Sequence, residues 1–184
     1  MNHNLLILGA GQYGMVAKET AQAMGCFEKI DFLDDNSELA IGKLQEYERF
    51  LAVYSYAFVA IGNAALRLEL IGKLEEACYT VAVLVNPKAA IAPSAQLQKG
   101  TIVEAMAVVN SNAAVAIGCI ISAGAVVNHD SFIGDGCHID CNATVPSNAI
   151  LLAGTTVPYG QVYQSEIQKT PKRCPENYSF EVGV

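Results

Sequence analysis

Charged side chains are scarce in this sequence, and basic ones are scarcer than acidic ones. Only 16% of the 184 residues are charged, and 11 Lys and Arg against 18 Asp and Glu give a formal net charge of −7. Nucleic-acid binding requires a basic surface that neutralises phosphates, so this composition argues against such a partner. No apolar run reaches the roughly 18 to 20 residues of a membrane-spanning helix. Residues Met1–Asn4 also lack the basic start of a signal peptide, so we expect a cytoplasmic protein without membrane insertion.

Metal and redox motifs built on cysteine are also lacking. None of the six cysteines stands in a C-x-x-C pair, so the sequence indicates neither a zinc site nor a dithiol redox site. In a reducing compartment these cysteines are expected to be free thiols. What is abundant is apolar sequence, because 52% of the residues are hydrophobic. A soluble chain of this composition must bury its elements on more than one side.

A period of six residues dominates the second half of the chain. Beginning at Ile91, every sixth residue is aliphatic twelve times in succession, ending at Val157. The residue four places after each of these is small, with Gln161 as the only exception. The residue three places after each is Gly, Asn or Asp at ten of twelve positions, and these types tolerate positive φ. Such internal repeats are typical of stacked architectures.

The period predicts a triangular coil made of three hexads. A strand of about four residues and a two-residue corner form one face, three faces close a coil, and parallel strands stack at about 4.8 Å. Twelve hexads then make four coils of a parallel β-helix over residues 88–162, followed by a polar tail over residues 163–184. Cys119 and Cys137 lie three hexads apart in the small column and are expected to stack as core residues.

The first 87 residues alternate between strand and helix patterns, which predicts a parallel sheet with right-handed crossovers. A strand over residues 4–9 leads into the G-x-G-x-x-G of Gly9 to Gly14 and then into a helix, whose first N–H groups can hold a phosphate. Asp34 follows Gly14 at the spacing of about 20 residues that suits an acid binding a ribose hydroxyl. This half of a dinucleotide fold favours a mononucleotide or nucleotide sugar over NAD. A tight turn that binds nothing is the alternative.

Two histidines interrupt the repeat. His129 stands in a column of corner residues that are otherwise Pro or Ser, and His138 interrupts a column of Ile and Thr. They lie half a coil apart, which suggests one localised site, although each is also compatible with an ordinary surface or packed histidine. Asp130 follows His129, and a carboxylate beside an imidazole raises its basicity and fixes its tautomer. Asp130 also occupies the corner column and can serve both purposes.

The combined motifs of the chain are Gly9–Gly14, Asp34–Asn36, Val59–Asn63 followed by Arg67, Asn86–Pro87, and Val127–Asp130 leading into Ile133–Asp135 and His138. Together these motifs resemble the bacterial sugar O- and N-acyltransferases of the hexapeptide-repeat class, which include sialic-acid O-acetyltransferases and UDP-4-amino-sugar N-acetyltransferases. The resemblance covers residues 4 to about 150. It implies a left-handed β-helix after a half-Rossmann α/β domain, and homotrimers whose active sites lie between neighbouring β-helices.

The resemblance implies acetyl-CoA as the acyl donor, with no metal required. His129 would be the catalytic base, Asp130 its partner, and His138 a residue of the acetyl or coenzyme A pocket. The other substrate would be a nucleotide sugar or a sialic-acid-like sugar. The residues that would hold the nucleotide sugar lie in the loops of the first domain: Gly9, Gly11, Gln12, Tyr13, Gly14, Asp34, Asp35, Gly62 and Asn63.

The sequence departs from the family pattern near its end. Members usually carry several more hexads and a Gly-x-Pro-Ala segment that helps hold coenzyme A, whereas here the pattern fades after Val157. Ser147, one coil beyond His129, stands where a glycine amide would face the thioester carbonyl, and we assign it to the same pocket. We expect acetyl transfer to an amine or hydroxyl of a nucleotide-linked or nonulosonic sugar in bacterial surface-glycan biosynthesis. The alternatives are an inactive accessory protein that binds a nucleotide sugar, and an NAD-dependent enzyme.

Overall fold

The computed structural model describes residues 3–164, and the chain divides into two compact units with the boundary between Pro87 and Lys88. Residues 165–184, which include most of the predicted tail, lie outside the described part. Within the described residues, no helix combines the length and the hydropathy that crossing a membrane requires.

The N-terminal unit is built on a four-stranded parallel sheet in the order β2 (Lys29–Leu33), β1 (Asn4–Leu8), β3 (Tyr56–Val59) and β4 (Thr80–Val81). Strand β1 is central because Leu5 to Leu8 form an apolar run that is fully buried, as expected for a strand covered on both faces. The elements of this unit are β1 (Asn4–Leu8), α1 (Gln12–Met24), β2 (Lys29–Leu33), a 3₁₀ helix (Leu44–Phe50), β3 (Tyr56–Val59), α2 (Ala64–Glu76), β4 (Thr80–Val81) and β5 (Leu84–Val85).

The strand order places the ends of β1 and β3 at the point where the chain changes direction across the sheet. From β1 the chain crosses through α1 to β2 on one side, whereas β3 pairs with the other side of β1. In open parallel sheets, ligands bind at such a switch point, beyond the carboxyl ends of the strands. The loops that follow β1 and β3 carry the predicted glycine motif and the predicted Gly62–Asn63 pair.

Two glycines allow the start of α1 to pack closely against the loop after β1. A Cβ atom at Gly14 would lie 2.2 Å from the carbonyl oxygen of Gly9. Gly9 itself has a φ of +108°, and a Cβ atom there would lie 2.7 Å from the carbonyl oxygen of Ala60. Neither position accommodates a side chain, so the first and third glycines of the motif are fixed by packing.

The second unit is a parallel β-helix of twelve two-residue strands, which make four coils with three sheets as faces. Each strand of the first three coils pairs in register with the strand three hexads further on, as Val127 does with Val145. The first face holds β6 (Ala90–Ile91), β9 (Val108–Val109), β12 (Val126–Val127) and β15 (Thr144–Val145). The second holds β7 (Gln96–Leu97), β10 (Ala114–Val115), β13 (Phe132–Ile133) and β16 (Ile150–Leu151), and the third holds β8 (Ile102–Val103), β11 (Ile120–Ile121), β14 (His138–Ile139) and β17 (Thr156–Val157).

The corners of the β-helix adopt the left-handed conformation that the third column predicts. All ten of its Gly, Asn and Asp residues have positive φ, including Asn112 at 58° and Asp130 at 57°. Met106 occupies an equivalent corner with a φ of 64°, although methionine is poorly suited to that conformation. The coil register therefore imposes the backbone conformation even where the side chain disfavours it.

Cys119 and Cys137 lie inside adjacent coils and are fully buried. The Sγ atom of Cys119 lies 3.1 Å from the carbonyl oxygen of Gly134, and the Sγ atom of Cys137 lies 3.1 Å from that of Leu152. Burial raises the pKa of Cys119 well above its usual value, so its thiol stays protonated. These contacts are those of small core residues.

Replacing Met106 by asparagine should stabilise the β-helix by about 1 kcal/mol, because asparagine adopts the left-handed region at lower cost. The Met106 side chain is 69% exposed, so little packing is lost. Urea denaturation measures the change in the free energy of unfolding. Leu152→Asn is the control, because Leu152 is also exposed but has no positive φ. A less stable Met106→Asn variant would contradict the expectation.

Gly14→Ala should destabilise the N-terminal unit by about 3 kcal/mol, because the new methyl group meets backbone that cannot move aside. Gly11→Ala is the matched control within the same motif, since a Cβ atom there would meet nothing within 4 Å. Thermal unfolding of both variants tests the difference. Equal melting temperatures for the two would show that the close approach at Gly14 is not maintained in solution.

Candidate functional site

The start of helix α1 is open in the way that phosphate binding requires. Gly11 occupies the N-cap position, is exposed and provides no side-chain cap, and Gln12 is also exposed. The first N–H groups of a helix have no partner within the helix, and they carry the positive end of its dipole. Tyr13 is half-buried beside this opening. The loop can therefore present backbone N–H groups to an anion.

Asp34 binds the glycine loop itself. Its Oδ2 atom accepts a hydrogen bond of 2.8 Å from the backbone N–H of Ala10, and its Oδ1 atom accepts one of 2.8 Å from that of Asn36. These two bonds, led by the one from Ala10, lower the pKa of Asp34. The carboxylate thus joins the loop after β1 to the end of β2. Its contact with a ribose hydroxyl stays a prediction.

The remaining predicted residues of this unit surround the same edge of the sheet. Asn63 is the N-cap of α2, where its Oδ1 atom accepts a 3.0 Å hydrogen bond from the N–H of Leu66, and Gly62 before it is exposed. Asp35 is exposed, and its Oδ1 atom accepts a 3.1 Å hydrogen bond from the N–H of Leu44. Since β1 and β3 are neighbours, the two glycine-containing loops lie side by side.

Arg67 is a residue of this region to which the sequence pattern gave no role of its own. It is only 1% exposed, and its Nη1 atom donates to the carbonyl oxygens of Ile61 at 2.6 Å and Gly62 at 3.0 Å. The guanidinium group thereby fixes the loop after β3. Its burial could have been predicted from its position on the same side of α2 as Leu70, Ile71 and Leu74.

His129 and Asp130 form a hydrogen-bonded pair on an exposed corner of the β-helix, between β12 and β13. The Nδ1 atom of His129 lies 2.7 Å from the Oδ2 atom of Asp130. Because a carboxylate accepts, Nδ1 carries the hydrogen in the neutral imidazole, and Nε2 is left as the basic nitrogen. The bond to His129, followed by one from Asn112, lowers the pKa of Asp130, so the carboxylate is ionised at neutral pH. This is the arrangement of a general base with an orienting partner.

His138 lies on the outer side of β14, with two polar neighbours. Its Nε2 atom is 3.1 Å from the Oγ atom of Ser122 and 3.8 Å from the Oδ1 atom of Asp140. Ser122 and Asp140 are both buried. They were not predicted as site residues, although the repeat places them in one column, one coil apart.

A single chain does not bring the two histidines into one site. His129 stands at the corner between the first and second faces, whereas His138 belongs to the third face. In a triangular coil, half a turn leads from a corner to the opposite side, so this spacing separates the histidines rather than joins them. Their common pocket stays a prediction that requires a second chain.

Ser147 lies where the repeat predicts, one coil beyond His129, and is half-buried. The neighbouring Asn148 donates its backbone N–H to the carbonyl oxygen of His129 at 3.1 Å, and Asp130 donates to that of Ser111 at 3.0 Å. The three corners therefore stack directly. The role of Ser147 in a coenzyme A pocket stays a prediction.

Known proteins similar to this chain cover both of its units. Residues 4–74 match the family model of the PglD N-terminal domain. The acetyltransferase domain of PglB from Neisseria gonorrhoeae is 27% identical, with 91% of this chain and 94% of that chain covered and a TM-score of 0.82. The same domain in complex with acetyl coenzyme A is 26% identical, with 88% and 96% covered and a TM-score of 0.61. PerB from Caulobacter crescentus, solved with CoA and GDP-perosamine, shares the fold at 23% identity, with 88% and 91% covered and a TM-score of 0.67.

These likenesses span both units, and the acetyltransferase likeness agrees with the motifs found in the sequence. The α/β unit and the left-handed parallel β-helix are the fold of these enzymes. Over both units the chain is similar to bacterial sugar acetyltransferases of the hexapeptide-repeat class.

Proposed function

We propose that this protein transfers the acetyl group of acetyl-CoA to an amine or hydroxyl of a nucleotide-linked sugar, with His129 as the general base. The observation that carries the proposal is the 2.7 Å hydrogen bond between His129 and Asp130 on an exposed corner. It leaves Nε2 available to take a proton from an acceptor that reaches the corner. The likeness to a PglB domain that was solved with acetyl coenzyme A supports the donor.

In this reaction His129 first takes a proton from the acceptor and then gives a proton to the departing sulfur. Acetyl-CoA supplies the acetyl group as a thioester. As the acceptor nitrogen or oxygen forms its bond to the acetyl carbon, its proton moves to Nε2 of His129; the C–S bond breaks, and the proton then passes to the departing sulfur. Asp130 stabilises the imidazolium that exists between these events. A positioned base of this kind contributes roughly 10²- to 10⁴-fold to the rate.

The geometry of the N-terminal unit supports a nucleotide-linked acceptor over a free nonulosonic sugar. An open helix start at Gly11 beside the Gly62–Asn63 loop suits the phosphates of a nucleotide. A nucleotide brings phosphate groups to this loop, whereas a free sialic-acid-like sugar brings only its carboxylate.

The separation of the histidines supports a site that two chains share. If His138 acts in the same pocket as His129, a neighbouring chain must supply it, because the two lie on opposite sides of one coil. A closed three-fold assembly would present each His129 corner to the third face of the next chain. We therefore include a homotrimer in the proposal.

The competing hypothesis is an accessory protein that binds a nucleotide sugar without catalysis. This hypothesis is based on the short β-helix, which lacks the Gly-x-Pro-Ala segment that helps family members hold coenzyme A. The aligned region, however, covers 96% of a PglB acetyltransferase domain that was solved with acetyl coenzyme A. A chain of comparable extent thus carries that ligand, which favours the enzyme.

His129→Ala should lower kcat/KM for acetyl transfer by about 10²- to 10⁴-fold while the protein stays folded, because the residue is exposed. Mass spectrometry of UDP-amino-sugars, GDP-amino-sugars and sialic acids after incubation with acetyl-CoA identifies the acceptor. Ser111→Ala, one coil earlier in the same column, is the matched control and should retain activity. Near-normal turnover by His129→Ala would refute the assignment, and no product from any acceptor despite nucleotide-sugar binding would favour the accessory protein.

Mixing two inactive variants tests the shared site. His129→Ala and His138→Ala chains, co-expressed in equal amounts, should recover about a quarter of the wild-type rate, because that fraction of interfaces in randomly assembled rings holds both wild-type residues. Initial rates of the purified mixed assembly measure the recovery. If each variant is inactive alone and their mixture is also inactive, both histidines belong to the site of a single chain, which contradicts the proposal.

A further inference from the structure

We propose that Asn112 is a positioning residue, which holds the Asp130 carboxylate in the orientation that His129 requires. The inference rests on the proposed function of His129 as the base. The Nδ2 atom of Asn112 donates a 3.1 Å hydrogen bond to the Oδ1 atom of Asp130. The Oδ2 atom of the same carboxylate lies 2.7 Å from Nδ1 of His129. Each carboxylate oxygen therefore has its own partner, one on each side.

The repeat explains why the amide reaches the carboxylate. Asn112 and Asp130 stand one coil apart in the corner column, with φ values of 58° and 57°. Nearly identical backbone conformations in adjacent coils direct both side chains the same way, at a spacing of about 4.8 Å. Both corners are also anchored through the backbone, since Asn112 donates to Oγ of Ser94 at 3.1 Å and Asp130 donates to the carbonyl oxygen of Ser111 at 3.0 Å.

Asp130 needs such an anchor because its side chain is 46% exposed. A carboxylate in water rotates freely, and water competes for its oxygens. With Oδ1 fixed by the Asn112 amide, Oδ2 remains directed at His129, and the imidazole keeps one tautomer and one ring orientation. Preorganised partners of this kind decide whether a base stays aligned with its substrate.

The charges around Asp130 agree with this role. His129 is the titratable group on its own corner, and it is the largest cause of the lowered pKa of Asp130. The preceding coil contributes neutral Ser111 and Asn112, and the following coil contributes neutral Ser147 and Asn148. An amide at position 112 donates without titrating, so the donor persists at every pH at which the enzyme works. It also stabilises the ionised form of Asp130.

Two glycine variants separate positioning from a structural role. Asn112→Gly removes the amide but keeps a residue that accepts the left-handed corner. Asn148→Gly is the matched control, because Asn148 occupies the same column one coil beyond Asp130 with a φ of 60°. Both variants change the corner in the same way, but only the first removes the donor to Oδ1 of Asp130.

The measurement is the pKa of the Asp130 carboxyl group by NMR in ¹³C-labelled protein, together with kcat/KM for acetyl transfer as a function of pH. Asn112→Gly should raise that pKa and lower kcat/KM roughly tenfold, which corresponds to one lost hydrogen bond to a charged group. Asn148→Gly should change none of these. The apparent affinity for acetyl-CoA should be equal in both.

Equal titrations of Asp130 in the two glycine variants would overturn the proposal, as would a raised pKa with unchanged kcat/KM. His129→Ala in the same assay separates the two claims. An unaltered rate in that variant overturns the base itself, whereas equal behaviour of the two glycine variants overturns only the role of Asn112.

Discussion

Parallel pairing of each coil with the next, three hexads along the chain, is the constraint on which the rest of the β-helix depends. Val127 pairs with Val109 before it and Val145 after it, and the same register holds on every face. A shift by one residue would turn the buried aliphatic column outward. The register therefore fixes the corners, which is why Met106 adopts a left-handed conformation without the side chain for it. It also allows Asp130, a corner residue, to lie beside His129 as its proposed partner.

The N-terminal unit fixes its loops by individual contacts rather than by repetition. Gly14 packs against the carbonyl oxygen of Gly9, the Asp34 carboxylate binds the N–H of Ala10, and the buried Arg67 binds the carbonyls of Ile61 and Gly62. Together they hold two neighbouring loops at the switch point of the sheet while the start of α1 remains open. The rigid scaffold and the open helix start together suit an anionic ligand.

The periodic features could be predicted from the sequence, and the individual contacts could not. The six-residue period predicted the coils, the left-handed corners and the inward cysteines, because each depends only on spacing. The bonds of Asn112 to Asp130, and of Ser122 to His138, depend on rotamers and on atoms of adjacent coils, about which spacing is silent. The sequence showed that His129 and His138 lie half a coil apart. In a triangular cross-section, that spacing places the two side chains on opposite sides of the coil. Residues 38–56 had no clear period, and the 3₁₀ helix Leu44–Phe50 falls among them.

A crystal structure with CoA and the acetyl acceptor would test most directly whether the corner presents a base to the substrate. We predict that the acceptor nitrogen or oxygen lies within about 3 Å of Nε2 of His129. We also predict that Nδ1 remains on Asp130 and that His138 of a neighbouring chain faces the same pocket. An acceptor bound away from the corner, with Nε2 directed into solvent, would contradict the role of His129 as the base.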